Sequence, residues 1–142
     1  HLDVRVAQGA ELAVHPGAGS PAKRWPPRQL AAVVQAMALP SALVCGPADE
    51  GAVEALSSQI PGPTQVWRGL TLPELARRLK GSHFFLGNDS GISHLAAAVG
   101  TPTAGIYVST DPAIWGIRGP RVVQLPADVA PAAVAVALGD LA

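Results

Sequence analysis

Short apolar runs alternate with longer amphipathic stretches along most of this chain. Leu12 to His15 is apolar and breaks at Pro16-Gly17, which predicts a strand and a turn. Pro27 to Ala38 has helical spacing and opens on proline, whose missing N–H is tolerated in a first helical turn. A second strand is predicted over Ala42 to Cys45, ended by Gly46-Pro47, and a short helix over Glu50 to Ser58, with Asp49 placed to cap it. Gln65 to Trp67 reads as a third strand. Thr71-Leu72-Pro73-Glu74 has the form of a capping box and starts a helix that runs to about Lys80. A fourth strand is expected from Ser82 to Leu86, a helix from Ile92 to Val99 stopped by Gly100, and a fifth strand from Thr103 to Val108. Val122 to Leu125 and Pro131 to Leu138 supply a sixth strand and a closing helix.

The strands are continuously apolar rather than alternating. This pattern suits a parallel sheet covered on both faces. Together with the β–α alternation, it predicts a doubly wound, Rossmann-like sheet in three α/β/α layers. In such a sheet ligands bind beyond the carboxyl ends of the strands. The loops His15–Ser20, Gly46–Asp49 and Gly87–Gly91 and the segment after Val108 all fall at that edge, and Pro61 to Pro63 falls at the other.

Composition narrows the picture. A length of 142 residues fits one domain, and 49% apolar residues are enough for a core. We expect residues 1–11 to be a linker or interdomain remnant and residues 12–142 to form one Rossmann-like domain. With no initiating methionine, the chain reads as a fragment of a longer protein. Ten basic residues balance ten acidic ones, which argues against a broad nucleic-acid surface and leaves local basic spots at Lys23-Arg24 and Arg77-Arg78. The single cysteine, Cys45, forms no internal disulfide and no thiolate cluster. No secretory signal or transmembrane run is visible, and a lone cysteine makes a reducing cytoplasm the expected location. The 14 prolines and 15 glycines lie between periodic segments, so disorder is expected only in the first ten residues.

The run Gly87-Asn88-Asp89-Ser90-Gly91-Ile92-Ser93-His94 carries most of the chemistry. A strand that turns directly into a helix puts backbone N–H groups and a helix N-terminus at one point, a natural anion site. Ser90 and His94 add donors and Asp89 adds a carboxylate. Upstream, Gly17, Gly19 and Ser20 let a backbone approach a ligand, and Lys23 supplies a charge for phosphate. Neither loop has Walker or dinucleotide spacing, and a lysine solvated behind a plain glycine turn is the simpler account of the first. For the second, Asp89 or Ser90 as a helix cap with His94 one turn in is the simpler account. Ser90 lacks the Gly-x-Ser-x-Gly setting of a hydrolase nucleophile, and His15, Asp89 and His94 match no zinc spacing. Trp25 and Trp67, like Trp115, are expected to pack. Glu50 opens a helix, and at a strand's carboxyl end it is also placed to meet a ribose hydroxyl.

His15-Pro16-Gly17-Ala18-Gly19-Ser20 with Lys23-Arg24-Trp25-Pro26, then Cys45-Gly46-Pro47-Ala48-Asp49, then Gly87-Asn88-Asp89-Ser90-Gly91 with His94-Leu95-Ala96-Ala97-Ala98, resembles glycosyltransferase family 9, the ADP-heptose:lipopolysaccharide heptosyltransferases. The similarity runs from about Leu12 to Val123. It implies the C-terminal, donor-binding half of a GT-B enzyme, with an ADP-heptose-like nucleotide-sugar as substrate and no metal or other cofactor. By position, Gly17, Gly19, Ser20 and Lys23 would serve the donor phosphates. Asp89, Ser90, Gly91 and His94 would surround the pyrophosphate and sugar, Glu50 would lie near the ribose, and Leu70 and Thr71 would line the base pocket. Lys23 and Asp89 would assist inverting transfer electrostatically or by positioning. The base would come from an N-terminal acceptor domain, absent here, that receives a saccharide or lipid-linked acceptor in lipopolysaccharide or related glycan synthesis. On this reading the fragment alone is inactive. The alternatives are another GT-B-like nucleotide-sugar enzyme, resembling the UDP-sugar epimerases, and a non-catalytic nucleotide-binding module.

Overall fold

The computed structural model describes residues 9–18, 21–62, 64–108 and 119–142. Six parallel strands form one sheet: β1 (Leu12–His15), β2 (Ser41–Cys45), β3 (Gln65–Arg68), β4 (Phe84–Asn88), β5 (Thr103–Tyr107) and β6 (Val122–Pro126). Their order across the sheet is β3-β2-β1-β4-β5-β6. The chain therefore winds outward from β1 in one direction, returns, and winds outward from β4 in the other. This is the order of the doubly wound dinucleotide fold, and β1 and β4 flank its switch point. In register, Leu12 lies beside Phe84 and His15 beside Gly87.

Among the described residues, five α-helices cover the sheet: α1 (Pro27–Met37), α2 (Glu50–Ser57), α3 (Leu72–Lys80), α4 (Gly91–Ala98) and α5 (Pro131–Asp140). Alternate residues of each central strand face opposite sides. Leu12, Val14, Leu43, Leu86 and Ile106 join Leu30 and Val33 of α1, Leu56 of α2 and Leu138 of α5 in one buried cluster. Ala13, Ala42, Val44 and Phe85 join Leu75 and Leu79 of α3 and Ala96 of α4 in the other. Both faces are thus covered, which is why the strands carry no polar alternation. Trp25 and Trp67 are buried, with their indole N–H groups donating to the Ala127 carbonyl at 2.9 Å and to Gln65 Oε1 at 2.8 Å. Arg78, one of the basic spots, stacks its guanidinium 5.5 Å from the Trp67 ring centre. Trp115 lies outside the described residues.

The element sequence follows the periodicity, with informative departures. β4 begins two residues later than its apolar run suggests and extends through Asn88 rather than stopping at Leu86. Ser82 still belongs to the end of α3: its amide donates to Leu79 and its hydroxyl to the Arg78 carbonyl. Gly87 and Asn88 pair with Gly105 and Ile106 of β5, so the ladder continues where composition alone suggests a loop. The capping box is present: the Glu74 amide donates to Thr71 Oγ1, and the Thr71 amide donates back to the Glu74 carboxylate. Asp49, by contrast, precedes α2 without a side-chain cap bond, because its carboxylate is committed elsewhere. α1 stops at Met37 with Ala38 in a left-handed conformation, φ 54°. The expected linker ends earlier than Glu11, since the Ala10 amide donates to Ser82 Oγ and the Ala10 and Glu11 carbonyls accept from His83 and Phe84.

Asn88 ends β4 with no exposed surface. Its Nδ2 donates to the carbonyls of Pro16 and Gly17, both at 3.1 Å, and its Oδ1 accepts from the Trp25 amide at 2.8 Å. Two carbonyl acceptors and one N–H donor leave only one orientation for the amide. One side chain thereby fastens both ends of the loop between β1 and α1 to the end of β4, across the switch point.

Two stability predictions follow from this packing. Leu86→Ala removes a fully buried side chain from the sheet centre and is expected to lower the unfolding free energy by about 2–5 kcal/mol. Leu72→Ala, at a position 72% exposed, should change it by less than about 0.5 kcal/mol, and urea denaturation compares the two. Asn88→Asp removes two donors and sets a buried carboxylate against two carbonyls, at an expected cost of about 2 kcal/mol or more at pH 7. Burial raises that carboxyl's pKa in the folded state above its unfolded value, so folding binds the proton. The variant should therefore recover stability as pH falls toward the unfolded carboxyl range, and denaturation curves across pH read the sign directly.

Candidate functional site

The carboxyl ends of β1, β2 and β4 converge on one cleft at the switch point. α4 opens it. Ser90, the N-cap, is extended and accepts from the Ser93 amide at 3.4 Å. The Ser93 hydroxyl turns back to the Asn88 carbonyl at 2.5 Å, fixing the turn from strand to helix. The Gly91 and Ile92 amides have no acceptor among the described residues. Two unpaired N–H groups at the positive end of an eight-residue helix favour an anion. Of the two capping alternatives, the structure selects Ser90. Asp89 instead lies with Oδ1 3.6 Å from His94 Nε2, and the His94 side chain is about half exposed.

Lys23 closes a short 3-10 turn, Pro21–Lys23, two residues before the Trp25 amide that Asn88 holds. It forms no ion pair with a described residue. Gly17 is buried in the same loop, and its missing Cβ has a definite beneficiary: an added Cβ would overlap the Asp49 carboxylate. Gly19 and Ser20 lie outside the described residues.

His15 is the residue that sequence reasoning undervalued. It ends β1 almost fully buried. Its Nε2 lies 2.8 Å from Asp49 Oδ2 and its Nδ1 lies 3.2 Å from Ser90 Oγ. Asp49 Oδ2 also accepts from the Gly46 amide at 2.8 Å. Burial pushes the imidazole below its ordinary pKa, and Arg24 adds to that push, against the upward pull of the Asp49 bond and charge. The balance favours the neutral ring. Only residues far apart in sequence make this group, and its one local trace is a histidine ending an apolar strand.

Beside the cleft, on the β2–β3 side, lies a cavity of about 370 Å³ whose walls include Cys45, Gly46, Glu50, Arg68, Leu70 and Ile92. Ile92 is the second residue of α4, so cavity and helix terminus adjoin. Glu50 sits on the rim, gripped by Arg68 through two bonds of 3.1 Å and approached by the Cys45 thiol at 3.2 Å. Arg68 and, second, the thiol hold the Glu50 carboxyl below its usual range; burial and the Glu50 bond push the thiol up. Leu70 lies on the cavity wall. Thr71 is engaged with Glu74 in the capping box and is not on that wall. Arg68 carried no signal in the sequence beyond its place at the end of a weak strand. Among the described residues, no three His, Cys, Asp or Glu side chains are grouped to hold a metal, and no helix is long and apolar enough to cross a membrane.

Known proteins share this fold and part of this sequence. The chain is 33% identical over 70 residues to lipopolysaccharide heptosyltransferase 3 of Escherichia coli, a match covering 49% of this chain and 21% of that protein. It is 42% identical over 50 residues to lipopolysaccharide heptosyltransferase 1 of Salmonella typhimurium, covering 35% of this chain and 16% of the relative. These matches span about a fifth of each relative's length. Among solved structures, E. coli ADP-heptose lps heptosyltransferase II superposes with a TM-score of 0.84 at 20% identity, over 95% of this chain and 47% of that one. E. coli heptosyltransferase WaaC with ADP superposes with a TM-score of 0.81 at 25% identity, over 95% of this chain and 45% of that one. The α/β fold is thus that of the heptosyltransferase structures. The model of glycosyltransferase family 9 (heptosyltransferase) matches residues 4–136, and the chain belongs to that family.

Proposed function

We propose that this chain is the donor-binding domain of an inverting glycosyltransferase and that its donor is an ADP-linked sugar of the heptose class. The observation that carries the reading is the junction at the switch point. The unpaired amides of Gly91 and Ile92 stand at a helix N-terminus, beside a largely apolar cavity lined by Leu70 and Ile92 with Glu50 on its rim. A diphosphate fits the first part and a nucleoside the second. Binding of ADP by the 25%-identical WaaC supports adenine as the base.

On this reading the backbone amides and Lys23 stabilise the charge that grows on the departing nucleoside diphosphate. Fixed dipoles suit that task because they need no reorganisation as the charge develops. Asp89, paired with His94, lies at the same helix start and orients the sugar. Glu50 on the cavity rim meets the ribose, and Gly17, Gly19, Ser20, Ser90 and Gly91 complete the phosphate side. Inverting transfer also needs a base to take the acceptor's proton. We assign that base to an N-terminal acceptor domain that binds a saccharide or lipid-linked acceptor, so this chain alone should transfer no sugar. The chain covers 47% of the heptosyltransferase II structure, which leaves room for such a domain in a full-length relative.

Calorimetric titration with ADP, UDP and GDP tests the assignment. Saturable ADP binding is expected, weakened roughly tenfold in Lys23→Ala through loss of one phosphate contact of about 1.4 kcal/mol. Preference for UDP would favour an epimerase-like enzyme instead. No binding of any nucleotide would favour a non-catalytic module.

A further inference from the structure

Donor binding as proposed leaves His15 and Asp49 without a task, yet His15 bridges the Asp49 carboxylate to the Ser90 hydroxyl at the mouth of α4. Asp49 supplies only acceptors, so the bond at His15 Nε2 requires the ring hydrogen to sit there. A neutral ring then has a lone pair at Nδ1, and the Ser90 hydroxyl donates its single proton to it. Ser90 Oγ in turn accepts from the Ser93 amide. Ser93 Oγ lies 3.4 Å away with its own proton given to the Asn88 carbonyl, so without ligand the one proton of the Ser90 hydroxyl is spent inside the protein.

We propose that His15 is a positioning residue that takes up a proton when a diphosphate enters the cleft, releasing the Ser90 hydroxyl to donate to the bound anion. This rests on the donor-site reading above. The step is a simple protonation: a solvent proton forms the Nδ1–H bond, Nδ1–H donates to Ser90 Oγ, and the Ser90 proton turns outward to a phosphate oxygen. No covalent bond breaks and nothing is oxidised. Asp49 keeps its bond to Nε2 throughout and compensates the imidazolium.

The surroundings are arranged for such a change. A negative ligand a few ångströms from the ring raises its proton affinity by about 1–3 pH units. The charged groups acting on His15 are Asp49, from the loop after β2, and Arg24, from the loop after β1. From α4 it meets the uncharged Ser90; Asp89, just before that helix, is turned toward His94. Arg24 Nε is buried without a hydrogen-bond partner among the described residues. The seat for Asp49 is also built. A Cβ on Gly17 would overlap Asp49 Oδ1, and one on Gly46 would stand 2.9 Å from Oδ2, so both loops give up side chains to admit this carboxylate.

The test is ADP titration of the chain at pH 7 in two buffers of different ionisation heat. The wild type should take up measurably more protons per ADP than His15→Gln does, and His83→Gln, just before β4 at the other edge of the sheet, should retain that uptake. A second readout needs no variant. The ring 15N shifts of His15, resolved from His1, His83 and His94, should report the neutral Nε2–H tautomer without ligand and move toward imidazolium as ADP is added. A ring that stays neutral while ADP binds overturns the inference and leaves the donor-site reading standing. A ligand-free Nδ1–H tautomer overturns it in the same way. Failure of ADP to bind at all overturns both.

Discussion

The Asn88 amide is the constraint on which the cleft depends. A doubly wound sheet leaves a gap between β1 and β4 where the chain reverses its winding, and nothing in the sheet itself fixes how the loops over that gap are held. Asn88 holds the β1–α1 loop at both ends, by two carbonyls before the turn and one amide after it. Each bond contributes about 0.5–1.5 kcal/mol net, but an unmade partner in a fully buried place costs more. The group is therefore worth most as a condition: the loop either adopts this path or strands buried polar atoms. The path of the loop fixes Lys23, and the same β4 terminus leads straight into the Ser90 cap.

Much of the fold was legible because it depends on local rules. Alternating apolar runs, a Thr-x-x-Glu start to α3 and glycine or proline at element ends all act within a few residues, and they place all six strands and five helices near their observed bounds. The errors share one cause. Asn88 has the composition of a loop, Asp49 that of a cap, and Ser82 that of a strand start. Each is claimed by a partner far away or by the neighbouring element: Pro16 and Gly17 for Asn88, His15 for Asp49, the end of α3 for Ser82. Local propensity cannot register a bond that spans 72 positions.

The candidate site was legible in the same uneven way. The glycine-to-helix turn at Gly87–Gly91 announces an anion site through backbone physics alone, which needs no partner to be named. The side chains were harder. Gly17 reads as room for a ligand, yet the volume it frees is taken up by Asp49. Glu50 reads as a ribose contact, yet its carboxylate is already shared by Arg68 and Cys45, two residues the sequence gives no reason to join to it. Family membership accounts for the resemblance of the blocks, but not for the bonds between them.

Those bonds divide the cleft into two regimes. At the switch point, Asn88, His15, Asp49 and Ser90 are tied into one another's loops by hydrogen bonds and largely shielded from water. On the cavity rim, the Glu50–Arg68 pair stands in solvent, where screening makes such a pair weak and easily exchanged for a ligand's hydroxyls. A diphosphate is common to many donors, whereas base and ribose distinguish them. On the donor-site reading, the rigid part therefore meets the invariant portion of the ligand. The exchangeable part meets the portion that differs, and selectivity among nucleotides can change by substitutions on β2, β3 and α2 without disturbing the bonds that hold the phosphate floor.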